Sequence, residues 1–328
     1  MTTRFVDLFC GIGGFHSGIV RSIPNAQLVF ACDIDPACCK VYHDNYQFQP
    51  NGDIKQISVV AIPPHDILFA GFPCQPFSSA GQMKAFDDER TIPYRYILKI
   101  LQAKQPVAFV LENVENIIKI DAGSVIRQIK ADLEELGYKI SYSVLNTYDF
   151  GLPQNRTRAF IVGHREITFN FAPLLNIHNR TSLDTVLEAD ACEYIDPSKY
   201  TLLPVELRKT QSKSGLIFCG YIHGNMRTTG VIASRVHLSR NHKQPNRIYQ
   251  STGSHPTLSS SETSGRYYIY DGTGVRKLTV TEMYRLMGYP DSLLKHPTRT
   301  VAIRHIGNSV SPTVVSALID ELRVQGLI

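Results

Sequence analysis

The stretch "FVDLFCGIGGF", residues 5–15, joins an apolar run to three closely spaced glycines. A strand that ends in glycines and re-enters the chain as a helix is a turn built for close approach. Glycine accepts backbone angles that other residues resist, and it exposes N–H groups to a ligand. The match to the dinucleotide pattern G-x-G-x-x-G is incomplete, because His16 stands where the third glycine belongs. Taken alone, the loop is weak.

About twenty residues on, the next apolar run ends in "ACDIDP" and places Asp33 where a carboxylate accepts hydrogen bonds from both ribose hydroxyls. Asp53, in "GDI", is a further candidate contact, for an exocyclic amine. The plainer alternative makes Asp33 and Asp35 helix N-caps before Pro36, a role that suits one of them. The spacing favours an adenosine-bearing cofactor and leaves open whether it is a nicotinamide or a sulfonium methyl donor.

Working outward, strands are expected at Arg4–Phe9, Gln27–Cys32, Asp66–Ala70 and Val107–Leu111, with helices at Phe15–Ser22, Pro36–Tyr46, Pro93–Gln102 and Ser124–Leu136. Two further strands, Lys139–Asn146 and Ala159–Val162, flank a turn-rich segment. Apolar strands alternating with helices predict an α/β fold, a parallel sheet covered on both faces, with working residues at the carboxyl ends of the strands. From Phe171 to Arg266 the periodicity dissolves into polar, basic sequence, read as a second, strand-rich module. A helix is expected at Lys277–Met287 and a last one at Ser311–Val324. The division that follows is 1–175 with 303–328 for the catalytic, cofactor-binding domain, and 176–302 for the second module and the return hinge.

Composition narrows the class. The seven cysteines lack C-x-x-C spacing, which disfavours a disulfide framework and a zinc site and suits a reducing cytoplasm. No metal is expected. There is no apolar run of about 18 residues, so no membrane span is expected, and no signal-peptide pattern precedes the first strand. The net charge of +5 is modest. Between Lys199 and Ser261, however, Glu206 is the only acid among many lysines and arginines. Such a surface is either a solvated basic face or one that meets a polyanion, most simply nucleic acid.

Three further features carry chemistry. In "GFPCQPFSSAG" (71–81) two prolines bracket Cys74 just past a strand end, which presents a thiol to a cleft rather than to a core. In "VAFVLENVENI" (107–117) an apolar strand ends in Glu112, a carboxylate costly to bury unless paired or protonated. In "GLPQNRTRAF" (151–160) Arg156 and Arg158 alternate to one side of an incipient strand. Together they suit a thiolate adding to the sixth carbon of a cytosine so that the fifth carbon becomes nucleophilic. An arginine would favour the thiolate and Glu112 would draw electron density from the ring.

In order and spacing, "DLFCGIGGF" (7–15), "GFPCQPFS" (71–78), "ENV" (112–114), "QNRTR" (154–158) and "IGNSVSP" (306–312) resemble the motifs of the bacterial C5-cytosine DNA methyltransferases. The stretches at 247–261 and 276–292 look like that family's return from its target-recognition module. The resemblance covers most of the chain outside Phe171–Gln244. It implies a Rossmann-like S-adenosylmethionine-dependent sheet with helices on both faces, a smaller target-recognition domain, and S-adenosyl-L-homocysteine as product. Cys74 would be the nucleophile, Glu112 would bind the base's ring nitrogen and amino group, and Arg158 would reach its carbonyl, with Arg156 supporting the thiol loop. Phe9 would stack on the adenine, with Gly11, Gly13 and Gly14 beneath the methionine end and Ile12 a further contact to the donor. Asp33 with Ile34 would hold the ribose side, Asp53 with Ile54 the adenine, and Pro73, Asn308 and Ser309 would complete the pocket, setting the last helix beside the first. Gln75 and Ser78 would border the vacated duplex position. Arg227, Thr228, Thr229, Arg235, Arg240 and Asn241 are candidates for reading bases.

The partners implied are double-stranded DNA and a restriction endonuclease of like specificity, with the enzyme a monomer. One departure is Thr91 in "DDERTIPYR" (87–95), where the family commonly has glycine. The alternatives are a tRNA cytosine methyltransferase of the same fold, whose Pro-Pro-Cys and Cys-Phe-Thr signatures are missing here, a nicotinamide oxidoreductase, and a catalytically dead DNA-binding relative.

Overall fold

The computed structural model describes residues 2–72, 92–189, 193–224, 242–262 and 267–328. The chain divides into two compact units, one formed by Met1–Leu145, Thr157–Ile177 and Ser309–Ile328, the other by Asn146–Arg156 and His178–Asn308. In chain order the first unit begins with β1 (Arg4–Leu8), α1 (Gly14–Ser22), β2 (Gln27–Cys32) and α2 (Pro36–Tyr46). It continues with β3 (Ile67–Gly71), α3 (Ile92–Lys104), β4 (Ala108–Val114), α4 (Ser124–Glu135) and β5 (Lys139–Asn146).

After β6 (Gln154–Asn155), which belongs to the second unit, come β7 (Thr157–His164) and the short α5 (Ala172–Leu175). The six-stranded sheet has the order β2-β1-β3-β4-β7-β5. Its central strands are apolar and buried almost end to end, with Val6, Leu8, Leu68, Ala70, Phe109 and Leu111 in one core with α3 and α4. Such runs need cover on both faces, which is why helices alternate with them.

The expected all-parallel sheet requires correction. β1, β2, β3 and β4 are parallel, but β7 runs antiparallel to β4. The reason is the connection. A parallel return needs a crossover of a dozen or more residues, usually a helix, whereas β5 and β7 are joined by the turn-rich 147–156. The last helix of the chain, α8 (Pro312–Val324), lies against α1 as anticipated: the Ser22 hydroxyl reaches the Ser316 hydroxyl at 2.9 Å and its carbonyl at 3.0 Å. Gly18 makes this approach possible, since a Cβ there would stand 2.3 Å from Val315 Cγ1.

The second unit holds β8 (Tyr200–Leu202), β9 (Phe218–Ile222), β10 (Arg247–Gln250), β11 (His255–Pro256), β12 (Tyr268–Tyr270), β13 (Val275–Lys277), α6 (Val280–Leu286) and α7 (Arg299–Asn308). Five strands form a sheet in the order β13-β12-β10-β9-β8, and β11 pairs with β6. The helix expected at Lys277–Met287 starts later, because Val275–Lys277 is a strand and Thr279 caps α6 in a reciprocal capping box with Glu282.

The same Glu282 is fully buried and bound by Arg276 at 2.7 and 2.9 Å, while Arg276 Nε reaches Asp271 at 2.9 Å. α7 was not anticipated; its buried Ala302, Ile303 and Ile306 have helical spacing but lie in a segment of low amphipathic contrast. The sequence boundary after 175 lies two residues from the end of a first-unit segment, whereas Asn146–Arg156 and the whole of α7 belong to the second unit. Hydrogen bonds explain the grouping: Gln154 Nε2 donates to the Leu286 carbonyl, and Arg156 donates to the carbonyls of Leu258 and Gly307. Among the described residues no helix is long and apolar enough to cross a membrane.

Gly18→Ala tests the α1–α8 contact. The added methyl has no room, so the substitution should lower stability by about 1–3 kcal/mol, measured as a shift in urea midpoint at unchanged slope.

Candidate active site

β1 delivers its chain into a left-handed turn. Phe9 has φ 56°, Gly11 φ 53° and Gly13 φ 84°. A phenylalanine held in that region is strained and persists only where the surroundings fix it, which marks the strand end as a built feature. The Gly11 N–H donates to Asp33 Oδ2 at 2.8 Å, and the Asp35 N–H donates to Asp33 Oδ1 at 2.8 Å. Asp35 is the cap of α2, accepting from the Ala37 N–H at 2.9 Å, so the capping role falls to Asp35 and not to Asp33.

At Gly11 a Cβ would meet nothing within 4 Å among the described residues, leaving a shallow cradle over the backbone. Gly13 has no such freedom, because a Cβ would run into the Tyr46 ring at 2.3 Å. Ile12 is buried, whereas Ile34 is 72% exposed beside Asp33. A cavity of about 380 Å³ opens there, with Pro36, Lys40, His43 and Pro50 in its wall. Asp53 accepts from the Lys55 N–H at 3.0 Å and begins a short helical turn whose Ile54 is buried. An open glycine cradle, a carboxylate and an exposed apolar side chain fit a nucleoside-bearing ligand.

Below the turn lies a cluster that the sequence reading missed. Asp7 is fully buried in β1, and the Tyr42 hydroxyl donates to it at 3.4 Å. Burial, and then the Asp33 carboxylate, push its carboxyl well above the usual range. Burial likewise raises Asp33. His16 stacks on Tyr46 at 4.0 Å between ring centres, and its Nδ1 hydrogen-bonds the Tyr42 hydroxyl at 2.8 Å. This explains the absent third glycine: the position is filled by an aromatic packing partner. Burial lowers the His16 pKa to about 4. An aspartate inside the apolar run "FVDLF" was the available signal for this cluster, since a buried carboxylate is costly without a reason.

The second group gathers at the ends of β3, β4 and β7. Glu112 stands opposite Phe160 across the antiparallel ladder, so Arg158 is its diagonal neighbour on the same face. Arg158 Nε donates to Glu112 Oε1 at 3.0 Å, with the two side chains only 17% and 12% exposed. Gly71 pairs with Glu112 on the other side, and a Cβ there would lie 3.5 Å from Glu112 Oε2. Asn113 points the opposite way: its Nδ2 donates to the Phe72 carbonyl at 2.9 Å, tying down the residue at which the chain leaves β3.

Arg156 does not join this pair. Arg156 is 2% exposed and lies in the second unit, where it donates to the carbonyls of Leu258 and Gly307; it precedes β7, so the two arginines do not alternate along one strand as expected. Asn308 is exposed at the end of α7, and Ser309 is buried with its hydroxyl on the Val310 carbonyl at 3.1 Å. Pro73, Cys74, Gln75, Ser78 and Thr91, like Arg227, Thr228, Thr229, Arg235, Arg240 and Asn241, lie outside the described residues.

A glycine turn after the first strand and a carboxylate after the second sit on a six-stranded sheet in the order β2-β1-β3-β4-β7-β5, an α/β fold with one antiparallel strand between β4 and β5. Dnmt2 methyltransferases of S. pombe and Spodoptera frugiperda share it, with TM-scores of 0.70 and 0.72 at 21% and 20% identity, over 98% or more of both chains. The chain belongs to the C-5 cytosine-specific DNA methylase family, which it matches over residues 3–323. Relatives include the type II methyltransferases M.NlaX of Neisseria lactamica, 34% identical over 98% of this chain and 96% of the relative, and M.HaeII of Haemophilus aegyptius, 35% identical over 96% and 91%. M.HhaI of Haemophilus parahaemolyticus is 33% identical over 94% and 90%. The protein is therefore a cytosine-5 DNA methyltransferase, and the family implies S-adenosylmethionine as methyl donor.

The buried imidazole has a consequence for acid stability. Between its ordinary value of 6.5 and about 4, the unfolded chain binds a proton that folded His16 refuses. Its contribution to stability is therefore complete above pH 6.5 and is lost as the pH falls. Relative to pH 7, the parent should lose about 1 kcal/mol more at pH 5 than a His16→Asn protein does, read from urea unfolding of both.

Proposed function

We propose that the protein methylates C5 of a cytosine rotated out of a specific short double-stranded DNA site, through a covalent bond between Cys74 and the neighbouring C6. The observation that carries the reading is the Glu112–Arg158 pair, held at the ends of adjacent strands next to the strand whose chain runs on to Cys74. Glu112 and Arg158 present an acceptor and donors in a desolvated setting, the pattern that recognises a pyrimidine's ring nitrogen, amino group and carbonyl.

The Cys74 thiolate forms a bond to C6, and the ring's electrons move to C5. S-adenosylmethionine would supply an electrophilic methyl group to C5, its sulfur keeping the bonding pair and leaving as S-adenosylhomocysteine. Loss of the C5 proton to a base and departure of the thiolate then restore the aromatic ring. Phe9, the Gly11–Gly14 turn, Asp33, Ile34, Asp53, Ile54, Pro73, Asn308 and Ser309 would hold the donor. Gly11's open cradle and the paired N–H groups on Asp33 support that part. A cytosine stacked in a duplex is beyond reach of a side chain, and extruding it costs a few kcal/mol.

The basic stretch between Lys199 and Ser261 supports contact with phosphates, and Gln75, Ser78, Arg227, Thr228, Thr229, Arg235, Arg240 and Asn241 are the proposed contacts to the site. The naming of relatives as type II methyltransferases supports a restriction–modification role; pairing with an endonuclease of the same specificity, a monomeric state and a bacterial cytoplasmic location are part of the same proposal.

Bisulfite sequencing of DNA from cells that express the chain identifies the modified site. On duplexes carrying 5-fluorocytosine at that site, with S-adenosylmethionine, a denaturant-resistant adduct should form and map to Cys74. Cys74→Ser should abolish it, and Glu112→Gln should slow turnover by about two to four powers of ten. Full methyl transfer by Cys74→Ser would disprove the covalent route.

A further inference from the structure

The Glu112–Arg158 pair rests on a second contact that its own chemistry does not require. Thr157, between the two arginines, is the first residue of β7. Its hydroxyl donates to Glu115 Oε2 at 2.8 Å. Its carbonyl accepts from Arg158 Nη1 at 2.8 Å, and Arg158 Nε reaches Glu112 Oε1 at 3.0 Å. Glu115 is held in turn by Lys119, four residues on. The hydrogen bond from Lys119, and then that from Thr157, keep the Glu115 carboxyl below its usual range, so the acceptor stays ionised near neutrality.

A guanidinium is a flat, rigid fork, and two bonds from different nitrogens fix both its place and its plane. One of those bonds is to the Thr157 peptide itself. The orientation of that peptide is therefore transmitted to Arg158, and through it to the carboxylate of Glu112. The Glu115 contact fixes the Thr157 side chain at the residue whose carbonyl Arg158 uses.

We propose that Thr157 is a positioning residue for methyl transfer: held by Glu115, it sets the carbonyl against which Arg158 lies, and so the angle at which Glu112 is presented. The inference rests on the reading of Glu112 as the group that meets the target base. It assigns Thr157 no contact with substrate or donor.

Two near-isosteric changes separate this role from simple packing. Thr157→Val keeps the shape and β-branching but loses the hydroxyl; Thr157→Ser keeps the hydroxyl and loses the methyl. Steady-state methylation of the cognate duplex, binding of S-adenosylmethionine and thermal unfolding are measured for both and for the unsubstituted protein. Thr157→Val should lower kcat by about tenfold or more, as misplacement of a reacting geometry does. KM for the duplex, donor affinity and the melting temperature should change little, and Thr157→Ser should retain kcat within about twofold.

The reverse rank order, with Val active and Ser impaired, assigns the position to packing and overturns the proposal. So does a loss in Thr157→Val that tracks lowered donor affinity or melting temperature. An unsubstituted protein that methylates no cytosine duplex overturns the underlying reading of Glu112 instead, and that outcome is read before either variant is made.

Discussion

Two backbone N–H groups, from Gly11 and from Asp35, converge on one carboxylate. Through Asp33 the turn after β1 is tied to the turn after β2. Charge-assisted hydrogen bonds of this type contribute about 1.5–3 kcal/mol each, enough to offset much of the cost of sinking a carboxylate and of holding Phe9 left-handed. Beneath them Asp7, Tyr42, His16 and Tyr46 form a packed polar floor. The floor dictates glycine at 13, where the Tyr46 ring leaves no space for a side chain.

The same economy governs the middle of the sheet. β4 sends successive side chains to opposite faces, so Glu112 turns toward Arg158 while Asn113 turns back to secure Phe72. One strand end thus presents a carboxylate and anchors the neighbouring strand's exit. In the second unit, buried arginines take over the organising role. Arg156 gathers carbonyls from two distant segments, and Arg276 binds the carboxylate that also caps α6. Removing one partner from such a buried set leaves an uncompensated charge, so these contacts specify arrangement as much as they stabilise it.

Much of the first unit was legible because its signals are local. Gln27–Cys32, Pro36–Tyr46 and Lys139–Asn146 stand where apolar runs, an Asp-Pro cap and periodicity put them. The glycine turn, Asp33 and Glu112 were legible as well, since each breaks an apolar run at a strand end. The capping box at Thr279 was readable in the sequence as Thr-x-x-Glu, yet the strand just before it hid among basic residues. α7 escaped notice because its buried positions mix His305 and Gly307 with Ala302, Ile303 and Ile306, so no apolar stripe stands out in the sequence.

What the sequence determined by itself is the inventory: which runs are buried, where they end, and which carboxylates, thiol and guanidiniums stand at those ends. The tertiary structure alone decided the pairings. That β7 enters between β4 and β5 antiparallel, that Arg158 meets Glu112 while Arg156 belongs to the other unit, and that Asp33 rather than Asp35 receives the Gly11 N–H depend on partners tens to hundreds of residues apart. Burial and capping are properties of a residue and its near neighbours, and so are written in the chain. Strand order and hydrogen-bond partnership arise from closing long loops, and many closures are compatible with one local pattern until packing selects among them.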